Sequence, residues 1–426
     1  MMFLRVAFLV ATALTLAVKH LYAAVPLIAA LAGFAFRRRA IAAAPVTDPA
    51  LAASWRYLIG GFAALALTTV GLNLWHGEPG FGAYERVLPF VLLPPLAWTI
   101  RAGRWRAEHW LLAIAAAAII SLPIGIYDMT LRGLDRARGA ASNPISFGHL
   151  NVVFGTICIL AAITFPFRDR PALHRGILVL GALCAAAASL LSGSKGGWPS
   201  LLVVALAAGY LTVRHRPLWQ RLLAPAAVLA LITALAFIAP STVVRDRLAS
   251  GLGGAVTWFQ TGEVKEFSVS VRFELWALGW HIFSESPITG QGVEGRAARW
   301  TELARSGQFY PGLDQFTAVD SELVGVLAEG GLIGALGYYL AYLGTWLAFW
   351  RWRRDPDAQT RSLAMIGLVL VPVHLLFGLS VSVFGISMFR TVFVTVTVAL
   401  LAFLTLRRAD LQPPTGSASV DATSTA

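Results

Sequence analysis

The sequence predicts an all-α polytopic membrane protein of about 12 transmembrane helices, with one long, partly helical polar segment between helices 9 and 10. Three observations carry this expectation. The chain is 57% hydrophobic and only 13% charged, against roughly 25% charged residues in soluble domains. Its apolar residues gather in runs approaching the ~20 residues that a bilayer demands of a helix. Its basic residues stand in short clusters between those runs, heavier in every second loop.

The runs lie near 3–18, 21–36, 57–75, 87–100, 110–127, 146–166, 176–191, 197–213, 222–239, 322–350, 362–384 and 389–406. The first two share one apolar stretch broken by Lys19 and His20. No small-residue cleavage signal follows the first run, so it reads as a retained helix. Four regions result. Residues 1–239 hold helices 1–9, residues 240–321 form a cap segment, residues 322–408 hold helices 10–12, and residues 409–426 form a tail. The tail is rich in Pro, Ser, Thr and Ala and is expected to be disordered.

The basic residues set an orientation. Alternate short loops hold Arg37, Arg38, Arg39 and Arg56, then Arg101, Arg104 and Arg106, then Arg168, Arg170 and Arg175. The same set continues with Arg214, Arg216 and Arg221, and with Arg351, Arg353, Arg354 and Arg361. By the positive-inside rule these loops are cytoplasmic, as are both termini. The long segment then faces outward. A net charge of +12 therefore reports orientation, since no continuous basic face with interleaved aromatics marks a nucleic-acid groove. The only cysteines, Cys158 and Cys184, lie in apolar runs, and no metal-ligand spacing occurs, so neither a metal nor another cofactor is expected.

Residues 240–321 are too many for a passive connection. Within them, Trp276, Trp280 and Phe283 recur at helical spacing on one face. A helix with such a face favours a membrane interface, so a small folded cap on the outer leaflet is expected.

Four clusters stand out on the outer side. The first is Arg136-Ala137-Arg138-Gly139 followed by Asn143-Pro144-Ile145-Ser146-Phe147-Gly148-His149. Its arginines could hold an anion or simply snorkel to lipid phosphates. The second is Ser192-Gly193-Ser194-Lys195-Gly196-Gly197-Trp198, a small turn with one cation. It is either a phosphate cradle or a tight hairpin with a solvated lysine, and it lacks the Walker spacing. The third pairs Arg272 and Trp276 with Pro287-Ile288-Thr289-Gly290-Gln291-Gly292. The fourth runs from Asp320-Ser321-Glu322 through Glu329-Gly330-Gly331 to Gly334. Acids at the start of a membrane helix are costly and are usually paired or functional. Asp320 could also be a helix N-cap, and Glu329, two turns into the run, could pair with an arginine or lie near a cavity.

These clusters, in this order, resemble the O-antigen ligase and Wzy-type polymerase superfamily. The match rests on Asn143-Pro144-Ile145-x-Phe147-Gly148, on Leu191-Ser192-Gly193-Ser194-Lys195-Gly196, and on Arg272 with Glu274-x-Trp276. It extends to Pro287-x-Thr289-Gly290-x-Gly292 and to the stretch from Leu323 to Gly334. Two departures stand out. The family turn usually carries Ser-Arg, where this chain has Ser194-Lys195. Its ligases often carry His-Asn or His-Ser, where this chain has Asp320-Ser321.

The resemblance implies a metal-independent glycosyltransferase of the bacterial inner membrane, with its active site facing the periplasm. Its donor is a glycan on undecaprenyl pyrophosphate and its acceptor a lipid A–core sugar hydroxyl. Charge builds on the departing pyrophosphate, and fixed cations offset it best in a low-dielectric site. Arg272, Lys195, Arg138, Arg136 and Arg390 are the expected pyrophosphate ligands, with Asp320 and Arg272 the catalytic pair. Asn143, His149, Ser194, Trp276 and Ser321 are the expected substrate-positioning residues. A polymerase using a lipid-linked glycan as acceptor is the nearest alternative. A flippase or transporter is a third, for which repeats with broken helices at the midplane would be the mark. The oligomeric state is not legible.

Overall fold

The computed structural model describes residues 1–412, apart from 79, 142, 214–252, 255, 262–263, 265–269 and 317–318. Among them the regular structure is helical. The first helices are α1 (Met2–Ala13), α2 (Leu21–Ala43), α3 (Pro49–Trp75), α4 (Phe81–Tyr84), α5 (Leu88–Leu92) and α6 (Leu96–Ala102). They are followed by α7 (Ala107–Thr130), α8 (Pro144–Thr164), α9 (Pro171–Leu191) and α10 (Trp198–Val213). The cap contains α11 (Ser270–Glu285) and α12 (Val293–Arg305), and α13 (Glu322–Trp350), α14 (Ala358–Phe377) and α15 (Ser387–Leu411) complete the bundle.

Among the described residues, 8 helices are long and apolar enough to cross a membrane: α2, α3, α7, α8, α9, α13, α14 and α15. Three further apolar segments are shorter: Met2–Ala13, Leu88–Ala102 and Trp198–Thr212. The protein is thus a multi-pass helical membrane protein, and the expected run at 222–239 lies outside the described residues. So does the tail from 413 onward.

Local chemistry accounts for the differences from the expected runs. The run at 87–100 is two short helices, α5 and α6, because Pro94 and Pro95 fall in its middle and each removes a helical N–H. The run at 362–384 stops at Phe377, and residues 378–386 form an irregular link to α15. Backbone that leaves the helix among apolar neighbours must find its hydrogen bonds elsewhere. Here the Glu322 N–H donates to the Gly378 carbonyl at 2.7 Å, and the Phe384 N–H donates to Glu322 Oε2 at 3.1 Å. Arg390 Nη1 reaches the Phe384 and Gly385 carbonyls at 3.1 and 2.9 Å.

At the centre of the bundle, α15 is buried throughout its apolar span, with α8 and α14 largely buried beside it. Among the described residues, the most extensive helix–helix contact is between α3 and α13. Gly61 and Gly344 let the two backbones meet, with no room for a Cβ on either.

The end of the bundle away from the cap is laced by ion pairs. Arg407 meets Asp357 at 2.6 Å, and Arg408 meets Asp48 at 3.5 Å and Asp355 at 3.3 Å. Burial pushes the Asp357 carboxyl up, but its bonds from Arg407 and Thr360 outweigh that and hold it at about 2.

The cap has a small core of its own. Val271, Leu275, Leu278 and Ile282 of α11 pack with Trp300 and Leu303 of α12, and with Leu313, Val319 and Ala328. The face of α11 turned inward is therefore this aliphatic one, while Trp280 is exposed and Trp276 is half-buried.

Candidate active site

The cap is fastened to the bundle through a break in α13. Gly331 lies at φ 60° and ψ −156° inside that helix, a region open essentially to glycine alone. The loop Pro287–Gly292 fills the gap. Gln291 and Gly292 N–H groups donate to the Ala328 and Glu329 carbonyls at 3.0 and 2.9 Å. In return, Leu332 and Ile333 N–H groups donate to the Pro287 and Ile288 carbonyls at 2.9 and 3.2 Å. Glu78, beyond the end of α3, accepts the Val293 and Glu294 N–H groups at 2.9 and 2.8 Å. A carboxylate at the start of α12 also suits the helix dipole.

This fastening presents Arg272 of α11 to the residue just before α13. Arg272 Nε stands 3.8 Å from Asp320 Oδ2. Both side chains are partly exposed, at 22% and 32%. Asp320 takes a left-handed φ of 48°. The cap of α13 is Ser321, whose hydroxyl accepts from the Val324 N–H at 3.5 Å. Asp320 is therefore not the N-cap, and its carboxylate is left to face Arg272. Burial pushes the Asp320 carboxyl above its ordinary 3.8, and the Arg272 guanidinium opposes that rise.

The first two sequence clusters form one unit. Asp128 is buried and accepts the Arg138 and Gly139 N–H groups at 2.9 and 2.6 Å, and Arg132 Nη1 at 2.7 Å. This folds the 131–139 loop back so that Arg136 Nε donates to the Ser192 carbonyl at 2.6 Å. The Arg138 side chain is exposed. The Ser192–Trp198 turn, with Ser194 buried in it, packs on Gly148 and His149, and neither Gly148 nor Gly196 has room for a Cβ. The Lys195 backbone lies in a short 3-10 turn, Lys195–Gly197; its side chain is outside the described residues.

Other expected site residues have structural partners. Asn143 caps α8, accepting the Ser146 N–H at 2.8 Å. His149 is fully buried and stacks on Phe377 at 4.3 Å, and its ring nitrogens meet no hydrogen-bond partner among the described residues. Arg390 is buried, pairs with Glu85 at 2.7 Å and holds the 384–385 carbonyls. Trp276 packs edge-on against Phe273 at 5.5 Å.

The irregular link 378–386 touches both the Ser192–Trp198 turn and the start of α13. Ser380 lies against Gly196 of the turn, and Gly378 binds Glu322 at the start of α13. The sequence reading missed this link, because an apolar run with a few serines reads as helix.

It also missed Arg86 and Arg296. Glu329 forms an ion pair with Arg86 and another with Arg296, the latter at 3.0 Å. The signal lay in Glu329 itself, since a carboxylate within a membrane run demands a cation. These three residues line a cavity of about 290 Å³ together with Ser321, Glu322 and Tyr338.

The fold and this cap-side site define a multi-pass membrane protein with paired charges at a helix entrance. Residues 180–339 match the family model described as O-antigen ligase, which supports an O-antigen ligase-family protein. The matched span encloses the Ser192–Trp198 turn, Arg272, the Pro287–Gly292 loop and Asp320. A Haemophilus influenzae protein described as uncharacterized is 19% identical over 315 residues, covering 73% of this chain and 77% of its own length.

Proposed function

We propose that this protein transfers O-antigen glycan from undecaprenyl pyrophosphate to a lipid A–core sugar hydroxyl, at the periplasmic face of the bacterial inner membrane. The acceptor oxygen attacks the anomeric carbon as the bond from that carbon to the pyrophosphate oxygen breaks. The pyrophosphate leaves as an anion on the lipid, and the hydroxyl proton passes to Asp320 or to water that Asp320 orients. Arg272 offsets the charge on the leaving group, and the fork of a guanidinium suits that task. The same reading assigns Arg138, Arg136 and Lys195 to the pyrophosphate as further cations. Arg390 and Asn143 act through the backbone they hold, His149 acts through its packing on Phe377 and on Gly197 of the turn, and Ser194, Trp276 and Ser321 frame the approach of the substrates.

The observation that carries this reading is the Arg272–Asp320 pair, a cation and a carboxylate 3.8 Å apart with partial exposure. A pair that loose can admit a phosphate oxygen without a large loss. Its test is transfer by the purified protein in detergent, with lipid-linked glycan as donor and lipid A–core as acceptor. Arg272→Ala should lower transfer about 10²–10³-fold, as loss of one preorganised donor does elsewhere, at unchanged expression. Normal transfer by that variant would overturn the proposed site. Product on a second lipid-linked glycan in place of lipid A–core would assign a polymerase, and no product from either acceptor would leave a transporter.

A further inference from the structure

We infer that the cavity between α3, α12 and α13 is a separate subsite for a neutral, hydroxyl-rich sugar unit, namely the acceptor; this rests on the transfer reading above. The cavity holds about 290 Å³, at the lower end of small-ligand pockets. Arg272 is not among its lining residues. Val319 and Ser321 line it, while Asp320 between them does not and pairs instead with Arg272. The cavity therefore reaches the two sequence neighbours of Asp320, so it adjoins the cationic site along the 319–321 backbone, as an acceptor subsite beside a donor site must.

Its walls carry both signs. Arg86 and Arg296 converge on Glu329, and Glu322 stands nearby, bonded to the Phe384 N–H. Arg296 is 8% exposed and Glu322 4%. Replacing a buried charge cluster of this kind by apolar residues is often neutral or stabilising, so stability alone does not account for it beside an open cavity. Two guanidinium groups already committed to carboxylates offer a pyrophosphate little net attraction. A sugar ring presents donors and acceptors around its edge and apolar C–H faces. Guanidinium donors and carboxylate acceptors match that edge, and Leu72, Val326 and Tyr338 supply apolar wall. Mixed charge therefore suits a neutral sugar unit here and leaves the pyrophosphate to Arg272.

Gly325 gives a clean test. It lines the cavity, and a Cβ placed on it meets nothing within 4 Å, so Gly325→Leu fills the space while favouring the helix. The wild-type protein should bind a delipidated neutral core oligosaccharide. Gly325→Leu should weaken that binding and raise the acceptor KM at least 10-fold, with binding of the lipid-pyrophosphate donor unchanged. Arg86→Gln, on a partly exposed side chain, should shift the same two quantities in the same direction and covers the case in which Gly325→Leu does not fold. Wild-type acceptor KM and oligosaccharide binding in both folded variants would overturn the subsite while leaving transfer intact. An equal loss of donor and acceptor binding would also overturn it, by making the cavity part of the donor site. Oligosaccharide binding without any transfer by the wild type would overturn the transfer reading and leave the pocket standing.

Discussion

At Asp320 two constraints meet, a left-handed backbone at φ 48° and a carboxylate half-withdrawn from water beside Arg272. Among ordinary residues Asn and Asp tolerate that backbone best. Asp320→Asn therefore keeps the turn, and Ser321 keeps the cap of α13, so the variant isolates the charge. Transfer should fall about 10²-fold or more, the usual contribution of a positioned acid–base group. The pH dependence has a definite sign. Burial raises the Asp320 carboxyl above 3.8 against the pull of Arg272, and in the proposed mechanism the ionised form accepts the proton. Activity is then present above that raised pKa and declines as pH falls through it. Rate against pH for the wild type should show this acid limb above pH 3.8, and its persistence in residual Asp320→Asn activity would show that another group titrates. Arg272 drew attention in the sequence because the orientation rule does not account for it, and Asp320 because an acid at the start of a membrane helix is costly; their pairing was not legible. Arg86 and Arg296 drew none, because nothing in their neighbours along the chain points to Glu329.

At the scale of elements, the break in α13 decides the site. Pro287–Gly292 and residues 328–333 exchange four backbone hydrogen bonds through it, so the loop completes the helix and the helix fixes the loop. Gly331→Ala puts a Cβ on the backbone of Ile288 and Gly290 and adds the roughly 1–3 kcal/mol of a strained non-glycine residue. We expect a lower Tm in detergent and loss of Arg272–Asp320 registry, read as transfer lost even in the fraction that remains folded. An unchanged Tm and rate would show that the loop and the helix do not depend on each other. The glycines of this stretch were visible in the sequence. Their use was not, since a glycine in a run of apolar residues also marks ordinary close helix packing.

At the scale of the whole molecule, alternation of basic loops predicts that the cap lies across the membrane from both termini. Gln308, exposed in the loop after α12, is a place to test it. Gln308→Cys in intact spheroplasts should react with a membrane-impermeant maleimide, and a cytoplasmic reporter fused after Leu411 should be active. Native Cys158 and Cys184 are both buried, so background labelling should be low. Labelling of Gln308→Cys only after lysis would reverse the orientation and place the site on the other face.

By itself, the sequence determined the solvent of this protein. Apolar run length and sparse charge are summed properties, and a bilayer admits only helices or closed barrels for such a chain. It also marked the costly residues, Arg272, Asp320 and Glu329, because a charge near lipid needs a reason wherever the chain places it. Partners were decided only by the tertiary structure. Asp320 faces Arg272 across 48 positions of sequence, Glu329 faces Arg86 and Arg296, and Arg390 braces its own link. Such pairings depend on how helices lean together and on where backbone is left irregular. A helix that breaks at Gly331 and another that stops at Phe377 leave polar groups which must find hydrogen bonds within the protein, and the site is built where they find them.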